Sequence, residues 1–235
     1  MGLVPRFQKC GFCYPERERI VFETRSFYAL LSLGPITEGH TLLNSKMHYP
    51  CCAAIEELDE WLIAKRRLVS LLRMQYGPCI LFEHGRTATC VDEENVGDHE
   101  STLCFHAHLH VVPAAVDLLD DLQAYRRVRP CKSWGEVVDF YRENEEYLFY
   151  EDKLGRMTVL RAGRLPQYFL RWLVASKLGF PERASWRQYR GDEVVRSALG
   201  KLRERVTGRR RVVFPTRLLP LRAVPAETVR RKAHS

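Results

Sequence analysis

The run His106-Ala107-His108-Leu109-His110-Val111-Val112-Pro113 decides how the rest of the chain is read. Its imidazoles recur at every second residue and lead straight into an apolar pair. A period of two is that of a β-strand, so His106, His108 and His110 are expected on one face of a single strand. Ala107, Leu109 and Val111 then face a core. The rise along a strand sets successive imidazoles about 7 Å apart, near enough to share one substrate and too far apart to be interchangeable. A lone histidine on a strand is usually structural. Three in register point to chemistry rather than to a half-buried strand whose polar face is incidentally histidine.

Working upstream, Gly39-His40 opens a second strand over 40–44 that runs toward Lys46-Met47-His48. A histidine just after a glycine at a strand mouth is placed to meet a ligand, the plain alternative being a solvated strand end. Residues 18–24 and 27–31 pattern as a hairpin. A helix is expected over 54–76, with apolar positions at Ile55, Leu58, Leu62, Leu68, Val69, Leu72 and Tyr76, acids early and bases late, and Gly77-Pro78 as its end. Residues 79–82 read as a short buried strand stopped by Glu83-His84-Gly85, 86–100 as a loop, and 101–112 as the histidine strand. Downstream, Ser133 and Glu136 form a capping box for a helix over 133–147. Residues 147–151 and 156–160 make a hairpin around Asp152-Lys153-Leu154-Gly155. Further helices are expected over 166–178 and 193–206, and the chain from 207 onward is rich in Arg and Pro and expected to be mobile. The pattern of strands, long helix and strands again is α+β.

The chain of 235 residues is 46% hydrophobic, enough for a packed core, with no apolar run approaching the about 18 residues of a membrane span. Its start lacks the apolar segment of a secretory signal, so a cytoplasmic protein with reduced thiols is expected. The net charge of +8 suits an anionic partner, although much of the excess lies in the distal Arg-rich stretches. Of the eight cysteines, Cys10 and Cys13 form a C-x-x-C, which needs two more ligands to make a metal site and could otherwise be a redox pair. Cys51, Cys52, Cys79, Cys90, Cys104 and Cys131 read as buried or incidental thiols, and His84 and His99 as loop histidines.

At this point a resemblance enters. The run from His106 to Val112 resembles the motif of the histidine triad (HIT) superfamily, His-x-His-x-His followed by two apolar residues. Gly39-His40-Thr41-Leu42-Leu43 with Lys46-Met47-His48 resembles that family's upstream strand, and Glu83-His84-Gly85 falls where it has a polar-x-Gly turn. The hairpin over 147–160, Leu165-Pro166-Gln167-Tyr168-Phe169-Leu170-Arg171 and Ser185-Trp186-Arg187 resemble a C-terminal extension of some bacterial members. The resemblance spans residues 8–190 and divides the chain into a HIT domain over 1–116, a helix-hairpin-helix extension over 117–190 and a basic, partly mobile tail over 191–235.

The resemblance implies a five-stranded antiparallel sheet with a long helix, often paired into a homodimer. It implies hydrolysis or transfer at an α-phosphate, in dinucleoside polyphosphates or nucleoside phosphoramidates, through a covalent nucleotidyl-histidine. His108 would be the nucleophile, with His110, His40 and His106 around it. Ser32, Asn44, Glu83 and Thr102 fall at substrate-contacting positions. Three of these depart from the family pattern: Ser32 stands for a ribose-binding Asn or Asp, Glu83 for an amide, and Ser101-Thr102 for Gln followed by Ser or Thr. In zinc-containing members the corresponding ligands would be Cys10, Cys13, His48 and His106, a closed set suited to structural zinc, with no organic cofactor.

Two other functions compete with this reading. The three histidines could themselves hold a catalytic metal, although the first and third would stand about 13 Å apart along a strand. Alternatively, Arg209 to Arg211 and Arg230 to Lys232 could bind nucleic acid phosphates without turnover.

Overall fold

The computed structural model describes residues 10–85, 105–166 and 168–207. The residues between and beyond these include Cys90, His99, Thr102, Cys104, Gln167 and the Arg-rich tail, so the expectations for them lie outside the described part. Among the described residues eight strands make one sheet: β1 (Ile20–Glu23), β2 (Phe27–Leu31), β3 (Thr41–Ser45), β4 (Cys79–Gly85), β5 (His108–Pro113), β6 (Arg129–Cys131), β7 (Tyr147–Glu151) and β8 (Met157–Leu160). Their order is β1-β2-β3-β5-β4-β7-β8-β6, and every neighbouring pair is antiparallel. The helices are α1 (Leu58–Tyr76), α2 (Leu119–Tyr125), α3 (Trp134–Asn144), α4 (Phe169–Lys177) and α5 (Asp192–Thr207). The class is α+β, as the sequence implies.

The sheet is larger than the five strands expected. The first five are present, and the C-terminal hairpin joins them because β7 pairs along β4, Glu83 opposite Phe149 and Gly85 opposite Tyr147. This pairing also corrects the reading of Glu83-His84-Gly85 as a turn, since strand β4 continues through all three. The edge of β4 is thereby filled by the chain's own extension.

Both faces of the sheet are covered. On one, Leu109 and Val111 of β5 and Tyr147 and Phe149 of β7 pack against α1, α3 and α5 through Trp61, Leu68, Trp134 and Leu202. On the other, Phe82, Val112, Leu148 and Tyr150 pack against α2 and α4 through Leu122, Leu170 and Val174. Alternation along β7 sends its aromatics both ways, which is why Tyr147-Leu148-Phe149-Tyr150 is buried throughout.

Helix α1 presents Trp61, Ala64, Leu68, Leu71 and Leu72, a stripe at helical spacing, to the sheet. It begins at Leu58 rather than at 54. The amides of Cys52 and Ala53, in a 3-10 turn, are taken by Glu83 Oε1 (2.8 Å) and the Tyr147 hydroxyl (3.1 Å) instead of entering a helix. In α3 the Ser133 half of the expected capping box forms, Ser133 Oγ accepting from the Glu136 amide (3.4 Å), while the Glu136 carboxylate reaches past it to the Lys132 amide (3.1 Å). That helix stops at Asn144, not 147, because Glu145 takes a left-handed φ of 60°. No described helix is long and apolar enough to cross a membrane. Helix α5 packs on α1 and β1, with Lys201 and Ser197 bonded to Glu38.

Candidate active site

The histidine strand is shorter than its pattern suggests. Strand β5 starts at His108, and His106 lies just before it, where the Ala107 amide donates to the Tyr49 carbonyl (2.8 Å) and the Ala107 carbonyl accepts from the Ser45 amide (3.4 Å). The three imidazoles stay on one face, with Ala107, Leu109 and Val111 in the core behind them, but they do three different things. Hydrogen-bond partners that can only accept, or only donate, fix the tautomer of each ring.

For His108 the deciding partner is the His106 carbonyl, 2.8 Å from Nδ1. A carbonyl only accepts, so Nδ1 carries the proton and the basic lone pair is on Nε2. The ring is half-buried and stacked on Phe12, with centroids 5.1 Å apart and planes 15° from parallel.

His40 and His110 form a relay. The Ile36 amide donates to His40 Nδ1 at 3.1 Å, so His40 carries its proton on Nε2. That nitrogen lies 2.9 Å from His110 Nδ1, which must accept, leaving His110 with its proton on Nε2. His40 reaches this position because Gly39, with φ at +83°, lets the loop close on α1, where a Cβ would stand 2.4 Å from the Tyr76 ring. Burial, and behind it the Arg171 guanidinium, hold His40 well below the ordinary histidine range. Burial first, then His108, His40 and Arg171, push His110 the same way, so both rings are neutral at pH 7. Phe82 stacks on His110 at 4.7 Å, and the His108 and His110 rings meet edge to face at 5.1 Å. A nitrogen base and a ring N–H donor thus stand side by side on adjacent imidazoles.

His106 serves a different set of partners. Its Nε2 lies 2.9 Å from the Ser45 carbonyl and is the protonated nitrogen, leaving the Nδ1 lone pair among Cys10, Cys13 and His48. The distances are 3.5 Å from Cys10 Sγ, 3.8 Å from Cys13 Sγ and 3.3 Å from His48 Nδ1, with 3.2 Å between Cys13 Sγ and His48 Nδ1. Tetrahedral zinc at ordinary bond lengths requires edges of about 3.8 Å between sulfurs, about 3.5 Å between sulfur and nitrogen and about 3.3 Å between nitrogens. The donor atoms, all within 4.8 Å of one another, fit that ion. Of the three strand histidines only His106 belongs to this cluster, which separates metal binding from the His108–His110 pair.

The remaining expected contacts divide. Asn44 sits opposite His108 in the β3–β5 register, its Nδ2 bonded to the Leu42 carbonyl (3.2 Å), and its buried Oδ1 has no partner among the described residues. Ser32 is buried next to the upstream histidine, its amide bonded to the His40 carbonyl (3.0 Å) and its hydroxyl to the Leu33 carbonyl (3.0 Å). Glu83 is not with them. Alternation on β4 sends Phe82 toward His110 and Glu83 to the opposite face, where it accepts from the Cys52 amide and the Tyr147 hydroxyl. His84 is a half-buried strand residue, not a loop one, while Cys51, Cys52, Cys79 and Cys131 are buried free thiols.

Burial pushes the Glu83 carboxyl up to about 7, against the hydrogen bonds that favour its ionised form. The folded chain then keeps a proton up to about pH 7 that the unfolded chain releases near 4.5. Stability from this group is present below pH 4.5 and falls by about 3 kcal/mol as pH rises to 7. Urea unfolding across pH 5–8 should show the decline in wild type and its absence in Glu83→Gln.

Two contributors escape the sequence reading. Phe12 lies inside the C-x-x-C, so the thiol pair that would hold a metal also aims a ring at His108, and its carbonyl accepts from the Tyr28 hydroxyl. Arg171 lies 61 residues beyond His110, in the extension stretch whose resemblance gave it no role at the site.

No protein-family model and no curated protein matches the chain. Among solved structures similar to it, a hypothetical histidine triad nucleotide-binding protein from Sulfolobus tokodaii strain7 is 24% identical, covering 45% of this chain and 68% of its own, at a TM-score of 0.30. A HIT family protein from Bacillus anthracis str. 'Ames Ancestor' is 20% identical, covering 50% of this chain and 92% of its own, at a TM-score of 0.34. Both of these solved proteins are described as histidine triad or HIT family proteins.

Proposed function

We propose that the chain is a nucleotidyl hydrolase or transferase of the histidine triad type. The observation that carries this reading is the pairing of opposite tautomers on adjacent rings, a lone pair on His108 Nε2 beside an N–H on His110 Nε2. A neutral imidazole nitrogen is a competent nucleophile toward phosphorus, and a neighbouring donor in a buried setting stabilises the charge that builds on the phosphoryl oxygens.

In this mechanism Nε2 of His108 bonds to the α-phosphorus of a nucleotide. The bond from phosphorus to the leaving oxygen or nitrogen breaks, and that atom departs with the electron pair and is protonated. The His106 carbonyl stabilises the positive charge on the ring through Nδ1–H. His110 donates to a non-bridging oxygen. Water or another acceptor then displaces the histidine, returning it to its neutral tautomer. We assign to the nucleoside side Asn44, opposite His108 in the β3–β5 register, and Ser32, whose amide bonds the His40 carbonyl. Glu83 faces the opposite side of the sheet and takes no part. Zinc held by Cys10, Cys13, His48 and His106 would supply a structural crosslink between the N-terminus and the start of β5. A catalytic metal on all three histidines is disfavoured, because His106 turns its lone pair toward Cys10, Cys13 and His48 and His110 spends its own on the His40 N–H.

The test is a panel of adenylated and guanylated polyphosphates and phosphoramidates, incubated with the full chain, quenched in base and digested. Mass spectrometry should find a nucleoside monophosphate on His108. Turnover with no adduct on any histidine would defeat the proposal.

A further inference from the structure

The loop between β2 and β3 is held from two sides. Inward, the Ile36 amide fixes the tautomer of His40. Outward, the same loop is gripped by the C-terminal extension. Arg171 Nη2 donates to the Gly34 carbonyl at 2.6 Å, Arg183 Nη1 to the Ile36 carbonyl at 3.1 Å, and the Gly34 amide to the Arg190 carbonyl at 2.9 Å. Gly34 has φ at +62°, and a Cβ there would lie 2.4 Å from the Trp186 Cα, so the contact is backbone against backbone. Arg171 is in turn anchored on the Ala184 carbonyl (2.7 Å) and the Arg183 carbonyl (3.1 Å).

Arg171 is only 7% exposed, and no carboxylate pairs with it among the described residues. Burying a guanidinium against carbonyls alone is a costly way to pack a helix. Its placement is explained if a rigid cation is needed behind the histidine relay. There it braces the loop and opposes protonation of the neutral rings.

We infer that the extension is a positioning part of the active site: Arg171 and Arg183 brace the β2–β3 loop so that the Ile36 amide keeps His40 a donor and leaves His110 presenting N–H to substrate. The meaning of that N–H rests on the function proposed above, whereas the relay itself does not. Arg171 and Arg183 act through the loop and are positioning residues.

The test uses the full chain with ¹⁵N-labelled histidine, reading each ring's tautomer by long-range imidazole correlations. In wild type His40 and His110 should each show a protonated Nε2 and a bare Nδ1. Arg171→Met should give mixed tautomers at both rings, with kcat lowered about tenfold and KM little changed. Arg171→Lys, which can still bond the carbonyls, should recover part of both signals. Arg183 is partly exposed, so Arg183→Ala should fold even if Arg171→Met does not, and should shift the His40 signals in the same direction. Folded variants that keep both wild-type tautomers would overturn the inference. Shifted tautomers in a chain that turns over no nucleotide would sink the proposed function and leave this one standing.

Discussion

Replacing His108 with alanine should lower nucleotide turnover by about 10⁴-fold or more while the chain stays folded. The ring is half-buried, stacks on Phe12 and donates to the His106 carbonyl, which is the buried polar group among the described residues that its loss strands. What disappears is the ring whose basic Nε2 is the proposed nucleophile; His110 spends its own lone pair on the His40 N–H. His110→Ala should cost less, about 10²–10³-fold, because it removes a donor to the developing charge and not the nucleophile. Equal losses in the two variants, by steady-state kinetics, would contradict the division of labour between the rings.

The second large effect concerns the cysteine and histidine cluster. Stripping metal with a chelator, or Cys13→Ser, should lower the melting temperature by about 10 °C, since losing a structural zinc removes several kcal/mol of folding free energy. The same treatment should reduce kcat. His106 links the cluster to the nucleophile through its carbonyl, and Phe12, between the two thiolate positions, stacks on the His108 ring. Metal content, melting temperature and kcat should fall together and return on adding zinc. A chain purified without metal that melts at the same temperature after zinc addition would remove zinc from the account.

How much of this was legible depended on whether a feature is local. The alternation in His106 to Val112 fixes the strand and its buried face, and Leu109 and Val111 do lie in the core. The Ser133 cap, the hairpin around Asp152–Gly155 and the long helix are local patterns, and each forms within a few residues of its expected limits. Features set by distant partners were not legible. His106 leaves the strand because its lone pair faces residues more than fifty positions away in the chain. Glu83 reads as a turn until β7 pairs along β4 and turns it to the far face. The short β6 carries a proline and only three residues, too few for a period, and is defined by its pairing with β8. Tautomers are the extreme case: the sequence shows three histidines, but only the acceptors across the fold decide which nitrogen of each is basic.

The most direct test of the central claim, that His108 Nε2 attacks phosphorus and forms a covalent intermediate, is the stereochemical course at that atom. A P-chiral phosphorothioate analogue of whichever nucleotide the panel identifies would be turned over in ¹⁸O-water and the product configuration determined. Two successive in-line displacements, the first by the ring and the second by water, predict net retention. Net inversion, the signature of a single direct attack by water, would contradict the account.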